Sequence, residues 1–311
     1  MITYEDRGVS AGKEDVKAAI KAVDRGIFPG AFCKAVPDVL GGSPDHCFLL
    51  HADGAGTKAA LAYMHYRRHK DPSIFQGIAQ DSLVMNLDDL ACVGAAGPFA
   101  LSNTIGRNAK LVPGEVIEAV ISGYEALARK LMGHGIEIYG CGGETADIGD
   151  LVRTIVVDSV MAVRMARDDF IDCSRVGAGH EIIGLASSGR ALYEDAYNSG
   201  VGSNGFTALR HDILAGKYCE EFPETYAPEI AGLAYKGKWD IDDARLNAEL
   251  FRYINDCGAD AGLADYFHAV PHVEHPVHLP LRQARLFLHK CKDRRRRKQV
   301  VFYISDVLTK R

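Results

Sequence analysis

The run Cys47-Phe-Leu-Leu-His-Ala-Asp53 ends in an acid and passes directly into Gly54-Ala-Gly56-Thr57-Lys58. A short apolar run of this kind reads as a buried strand. Two glycines one residue apart read as a tight turn, and Thr57 to about Arg68 reads as a helix. Strand, glycine turn and helix in immediate succession leave the chain few ways to fold here. They also fix an acid at a strand end and a lysine at a helix start.

The rest of the first half supports a packed domain around that unit. A second helix is predicted over roughly Gln76 to Cys92, with an apolar stripe of Ile78, Leu83, Leu87, Leu90 and Val93. A third runs from Pro113, a favoured first-turn residue, to the Gly133/Gly135 stop. Its stripe is Ile117, Val120, Ile121, Tyr124, Leu127 and Leu131. A strand over Ile136–Tyr139 leads into a loop, Gly140 to Gly149, and residues 154–164 form a long strand. Ala166 to Gly179 reads as a domain connection, followed by a strand near Glu181–Ala186 and a helix beginning near Ser203. Strands and helices mix without regular βαβ alternation, which predicts an α+β fold. With 311 residues, 47% of them hydrophobic, two domains are expected rather than one.

Charge is unevenly spread. From His268 onward there are eleven Lys/Arg and three Asp/Glu, a net +8, so residues 1–267 carry −13 of the overall −5. An acidic body argues against nucleic-acid binding and suits an enzyme whose carboxylates hold cations that in turn hold phosphates. The eight cysteines include no Cys-x-x-Cys pair and read as reduced structural thiols. The charged start and the lack of a long apolar run predict a cytoplasmic chain.

Four segments have the chemistry for a polyphosphate and its metal. In Asp53-Gly-Ala-Gly-Thr-Lys58, glycine backbone can approach phosphate oxygens, the helix start offers N–H groups, Lys58 can neutralise phosphate and Asp53 can ligate Mg²⁺. The order of threonine and lysine rules out a Walker A loop; a plain glycine turn with a solvated lysine fits equally. Asp81 and Asp88 are seven apart on the second helix, about 10.5 Å along its axis. That separation suits two ions, one ion and a polar group, or a simple acidic face. Gly142-Gly143-Glu144-Thr145 sets a carboxylate beside a double glycine, and Ser187-Ser188-Gly189 with Ser203-Asn204-Gly205 offers donors near a helix start. An ordinary turn and an ordinary capped helix are the plain alternatives for these last two.

Taken in order, these residues resemble the aminoimidazole ribonucleotide synthetase family, also named phosphoribosylformylglycinamidine cyclo-ligase, from about Tyr4 to Trp239. The opening Tyr4-Glu-Asp-Arg-Gly8-Val9 is similar to that family's start. Asp53-Gly-Ala-Gly-Thr-Lys58 is similar to its Asp-Gly-x-Gly-Thr-Lys signature, and Asp81 with Asp89-Leu90 falls on its acidic helix. Gly142-Gly-Glu-Thr-Ala146, Ser187-Ser-Gly189 and Ser203-Asn-Gly205 match its later loops. The resemblance implies an N-terminal domain, 1–165, that binds ATP and pairs with a second copy in a homodimer. It implies a partial C-terminal α+β domain over 170–250, leaving 251–311 as an atypical basic tail.

The implied ligands are ATP, Mg²⁺ and formylglycinamidine ribonucleotide. ATP falls to Asp53, Gly54, Gly56, Thr57, Lys58, Gly142, Gly143, Glu144 and Thr145. Metal falls to Asp53, Asp81, Asp89 and Glu144, with Lys58 and Asp89 catalytic. The second substrate falls to Ser187, Ser188, Gly189, Ser203, Asn204 and Gly205. The implied reaction phosphorylates the formyl oxygen and closes the imidazole ring of purine synthesis. The alternative is a truncated, catalytically impaired ATP-binding homodimer of the same superfamily.

The chain departs from that pattern in two places. The histidine of a short Ser-Ser-Gly-Pro-His-Ser-Asn-Gly run is absent, and Arg190 to Gly202 intervenes, with Tyr193, Asp195 and Tyr197 as possible substitutes. After Asn247 the pattern is lost. Phe251–Ala269 reads as helical. The His268, His272, His275 and His278 series is broken by prolines, and Arg294–Lys298 reads as a solvated basic run. A truncated or frame-shifted C-terminal domain is the expectation there.

Overall fold

The structure is a computed structural model that describes residues 2–10, 13–175, 183–184, 201–246 and 302–303. Its centre is a five-stranded sheet in the order β1-β2-β5-β3-β4. The strands are β1 (Ala35–Pro37), β2 (His46–Gly54), β3 (Phe99–Arg107), β4 (Ile138–Asp147) and β5 (Ile155–Ala166). All neighbours are antiparallel except β3 and β4, which are parallel because a helix crosses between them. That helix is α4 (Gly114–Gly133); a short α1 (Glu14–Ala19) precedes the sheet, and α2 (Lys58–His69) and α3 (Ile74–Cys92) follow β2. A mixed sheet with its long helices on one side is an α+β arrangement, as the order of elements predicted.

Strand β5 shows why only one side is filled. Val157, Ser159, Met161, Val163 and Met165 are buried in strict alternation with the exposed or half-buried Asp158, Val160, Ala162 and Arg164. Opposite them, Leu49 and Cys47 of β2 and Leu101 and Ile105 of β3 turn the same way, toward α3 and α4. The other face is open: Leu50 is 63% exposed and Tyr139 53%.

Helix α3 buries the whole predicted stripe, together with Phe75, Ala79, Ser82 and Asn86. In α4 the predicted stripe is corrected at Ile121, which is 46% exposed; Val116, Gly123 and Ala128 complete the buried face instead. Gly123 is there because α4 crosses α3 closely. A Cβ on it would stand 2.8 Å from Gln76 Cα and 3.0 Å from Ala79 Cβ.

Two boundaries differ from expectation. The predicted Gly140–Gly149 loop is largely strand, since β4 continues to Asp147 beside β3. The register slips between Leu101 and Asn103, and Gly142 (φ 89°) and Gly143 absorb the slip. A Cβ on Gly143 would lie 2.4 Å from the Asn103 carbonyl oxygen. Second, the later helix, α5 (Phe206–Ile213), is preceded by Gly205 at φ 74° rather than by a Ser203 or Asn204 side-chain cap.

Residues 201–246 form a second core around Phe206, Leu209, Tyr218, Phe222 and Tyr235, and Met64 of α2 is part of it. A one-turn α6 (Tyr218–Glu221) lies within this segment. The strand predicted near 181–186 is described as β6 (Ile183–Gly184), pairing in parallel with β7 (Phe302–Tyr303). The predicted helix 251–269, the histidine series and the Arg294–Lys298 run lie outside the described residues, as do Ser187, Ser188, Gly189, Tyr193, Asp195 and Tyr197.

Gly123→Val is expected to push α4 off α3 and lower stability by about 1–3 kcal/mol, the usual cost of overpacking. Denaturant unfolding with an unchanged slope and a lower midpoint would show it.

Candidate functional site

The site grows from the C-terminal end of β2. Asp53 accepts a hydrogen bond from the Gly54 N–H at 2.7 Å, and the chain then leaves the sheet through Ala55, whose N–H still donates to Val157 O. The two glycines of the turn have different causes. Gly54 faces Asp158 across the β2–β5 pair, and a Cβ there would sit 1.8 Å from the Asp158 carboxylate. Gly56 occupies the left-handed region at φ 55°, where a side chain is disfavoured. Thr57 precedes α2 and shares a hydroxyl hydrogen bond with Thr207.

Asn86 fastens α3 to this strand end. It is fully buried, and its amide nitrogen faces three carbonyls, those of Asp53, Ser82 and Ser159. Its oxygen is therefore left for His51 Nδ1, 3.0 Å away, so Nδ1 must carry a proton. The other ring nitrogen of His51 lies 3.1 Å from Asp89 Oδ2. Both nitrogens thus face acceptors, an arrangement that only the doubly protonated ring satisfies. Burial opposes that charge, but the hydrogen bonds to Asp89 and Asn86, with the charges of Asp89 and Asp53, outweigh it and hold the His51 pKa above its usual value.

The carboxylates here repel one another. Asp53 is raised above the ordinary carboxyl range first by burial and then by the Asp89 charge, despite its Gly54 hydrogen bond. Asp158 is raised by burial and by Asp53. Asp88 is pushed up to about 7 by burial and the neighbouring Asp89. Oxygen donors whose mutual repulsion a dication would relieve match the preference of Mg²⁺ for carboxylates. Lys58 stands at the start of α2 and donates to Asp81 Oδ1 and to the Val201 carbonyl, both at 2.7 Å.

A family model described as AIR synthase related protein, N-terminal domain, matches residues 34–163. This part of the chain is an AIR synthase related domain. Among curated proteins, the chain is similar to the phosphoribosylformylglycinamidine cyclo-ligase of Methanocaldococcus jannaschii, 30% identical over 61% of this chain and 51% of that one. The enzyme of the same name from Staphylococcus carnosus is 34% identical over 53% of this chain and 41% of its own length. That of Desulfitobacterium hafniense is 30% identical over 71% and 61%. The chain thus spans about half the length of the curated relatives it matches.

Within the AIR synthase related domain, the predicted residues do not all converge. Asp53, Gly54, Gly56, Thr57, Lys58, Asp81 and Asp89 lie along the β2 end, the turn and the facing side of α3. Asp81 is engaged with Lys58. Gly142, Gly143, Glu144 and Thr145 lie on β4, three strands from β2, about 14 Å at ordinary strand spacing. Glu144 pairs with Thr104, which pairs with Asp158, so it shares the open face, whereas Asp53 pairs with Ser159 on the helix face. Within one copy Glu144 does not join Asp53. Ser203, Asn204 and Gly205 precede α5; a Cβ on Gly56 would stand 3.9 Å from Ser203 Cβ, and the Ser203 hydroxyl is buried with no hydrogen-bond partner among the described residues.

Sequence reasoning missed His51 and Asp158. The first was legible, since a residue two before Asp53 in a strand shares its face. The second needed the strand register.

Asp89→Asn is expected to lower the His51 pKa, read by NMR titration of the imidazole. A raised folded-state pKa means that the pair's stabilisation is present below the unfolded value near 6.5 and is lost as pH rises through the folded value. The variant should therefore flatten the fall in stability across that window.

Proposed function

We propose that this chain is an ATP-dependent cyclo-ligase of purine synthesis, phosphorylating the formyl oxygen of formylglycinamidine ribonucleotide so that the imidazole ring can close. The observation that carries the reading is the placement of Asp53 and Asp89 around His51 and Asn86 at the end of β2, beside a helix that starts with Lys58. The names of the curated relatives supply the substrate.

In this reading Asp53 and Asp89 hold Mg²⁺, with Asp158 adding negative charge from the open face of the sheet. Bound Mg²⁺ supplies charge neutralisation for the triphosphate. The turn from Gly54 to Thr57 presents backbone N–H groups to phosphate oxygens. Lys58 exchanges its Asp81 and Val201 contacts for a phosphate oxygen, and so acts on the transferring group. Asp81 holds the lysine in place before nucleotide arrives and meets metal only once that ion pair opens. Asp89 keeps His51 protonated, which places a further positive charge beside the phosphates. Ser203, Asn204 and Gly205, close to Gly56, face the second substrate together with Ser187, Ser188 and Gly189. An amide-like oxygen leaves poorly, and its phosphorylation makes ring closure feasible.

The domain reading follows the same line: 1–165 binds nucleotide and pairs with a second copy, 170–250 is a partial C-terminal domain, and 251–311 is a basic tail. A homodimer is supported by the open face of the sheet, where Leu50, Ala52, Val160 and Ala162 lie side by side across β2 and β5. Glu144 and Thr145, with Gly142 and Gly143, then contribute to the nucleotide site from the dimer interface. A cytoplasmic location is part of the proposal; no described helix is long and apolar enough to cross a membrane.

A coupled assay of ATP and formylglycinamidine ribonucleotide turnover tests the activity. Asp53→Asn and Lys58→Ala are each expected to abolish turnover and to weaken Mg-ATP binding about 10- to 100-fold, the worth of one charge-assisted contact. Turnover indifferent to both would remove the site assignment. Tight nucleotide binding without ring closure in the wild-type chain would select the impaired ATP-binding homodimer.

Leu50→Asp is expected to yield monomers in light scattering after size exclusion. An unchanged mass would move the pairing surface elsewhere.

A further inference from the structure

Away from the carboxylates at the β2 end, the C-terminal turns of α2 carry a different donor set. His65 and His69 are four residues apart and so share one helix face. Their rings stack at a tilt, with centroids 4.4 Å apart. Asp242, from the 201–246 segment, reaches the same place, with its Oδ1 2.7 Å from His69 Nε2. One ligand atom from each of the three lies within 4.8 Å of the others. We propose that His65, His69 and Asp242 form a binding site for a zinc-class divalent metal ion that joins α2 to the 201–246 segment.

The donor chemistry selects the metal. Two imidazoles and one carboxylate match catalytic-type zinc sites, which keep a further position for water, whereas Mg²⁺ takes oxygen ligands and leaves imidazole aside. Around a tetrahedral ion at about 2.0–2.1 Å, ligand atoms stand about 3.3 Å apart, a separation that the present spacings bracket. Small rotations of the two rings and the carboxylate reach it.

Two features argue for a site over a chance grouping. His65 Nδ1 is buried and has no hydrogen-bond partner among the described residues. An orphaned ring nitrogen of this kind has a cost that coordination of the ring relieves, by taking that nitrogen or by turning it outward. Asp242 is also oriented from behind: Arg68 Nη1 donates to its Oδ2 at 3.0 Å, leaving Oδ1 directed at the histidines. Arg68 is itself fixed by Glu221 and Asp240. Such outer-shell support is a regular part of metal sites. His69 and Asp242 are exposed enough for an ion to enter from solvent.

The site is separate from the nucleotide's metal. His65 and His69 follow Lys58 by seven and eleven residues, about 10.5 and 16.5 Å along the helix axis. Its occupation would pin the far end of α2 to Asp242 while leaving the Asp53 carboxylates untouched.

The test uses the 311-residue chain, stripped with chelator and titrated with Co²⁺ and Zn²⁺. Cysteines and the histidines after residue 267 also take these ions, so the reading is the difference between wild type and variants. His65→Ala, His69→Ala and Asp242→Asn are each expected to remove one tetrahedral cobalt absorption component. Each should weaken zinc binding at that site at least about tenfold, the lower end of what even a supporting residue costs. Zinc should raise the melting temperature of the wild type more than that of His65→Ala. Asp53→Asn should keep the zinc site while losing Mg-ATP, so that failure of one assignment leaves the other standing. In wild-type protein with labelled histidine, zinc should shift the ring nitrogen resonances of His65 and His69, a readout that needs no variant to fold. Superimposable cobalt spectra for wild type and His65→Ala, or histidine resonances unmoved by zinc, would overturn the proposal.

Discussion

The side-chain amide of Asn86 holds the working end of this domain together. It is buried between α3 and the sheet, where an unsatisfied amide would cost about 1–3 kcal/mol per missing bond, and the structure satisfies it on both sides. Its nitrogen ties α3 to the backbone of β2 and β5 at Asp53 and Ser159, and its oxygen fixes the proton on His51. His51 then faces Asp89 with its other nitrogen. The position of the last sheet residues, the ring state of one histidine and the setting of one carboxylate all follow from a single polar residue in the core.

Around it, the electrostatics of the site are unresolved by the protein alone. Asp53 and Asp158 are both raised by burial and by like charge, and the cation of Lys58 is drawn toward Asp81 on the neighbouring helix. Such a cluster is destabilising when fully ionised, and a divalent cation relieves it. Under the proposed function, that repulsion is already present before metal-nucleotide arrives and would favour its binding.

The strand–turn–helix unit at Cys47–Arg68 and both long helices were legible from periodicity and glycine placement, and their ends lie within two residues of expectation. Asp53, Lys58 and Asp89 were legible as candidates because each interrupts a pattern that packing alone would make apolar or charged. The double glycine before Glu144 reads as a loop, whereas these glycines accommodate a slip in parallel pairing that depends on β3, about forty residues away. Register is a long-range property, and no local pattern announces it. Asp158 was hidden for the same reason: its closeness to Asp53 arises from antiparallel pairing. Ile121 looked like core because its spacing fits, but a helix lying on a sheet buries only the arc that its neighbours reach.

Helix α2 is joined to the following segment along its whole length, by Lys58 to Val201 at its start, Tyr63 to Glu224 in its middle and Arg68 to Asp240 near its end. Twelve residues make a rod about 18 Å long. A rod fastened at three points cannot tilt at one of them alone. Drawing the lysine toward a phosphate must either break its hold on Val201 or carry the far attachments with it. Under the proposed function, occupancy of one pole would be translated into mechanical load at the other, and helix stiffness would set how much of that load arrives.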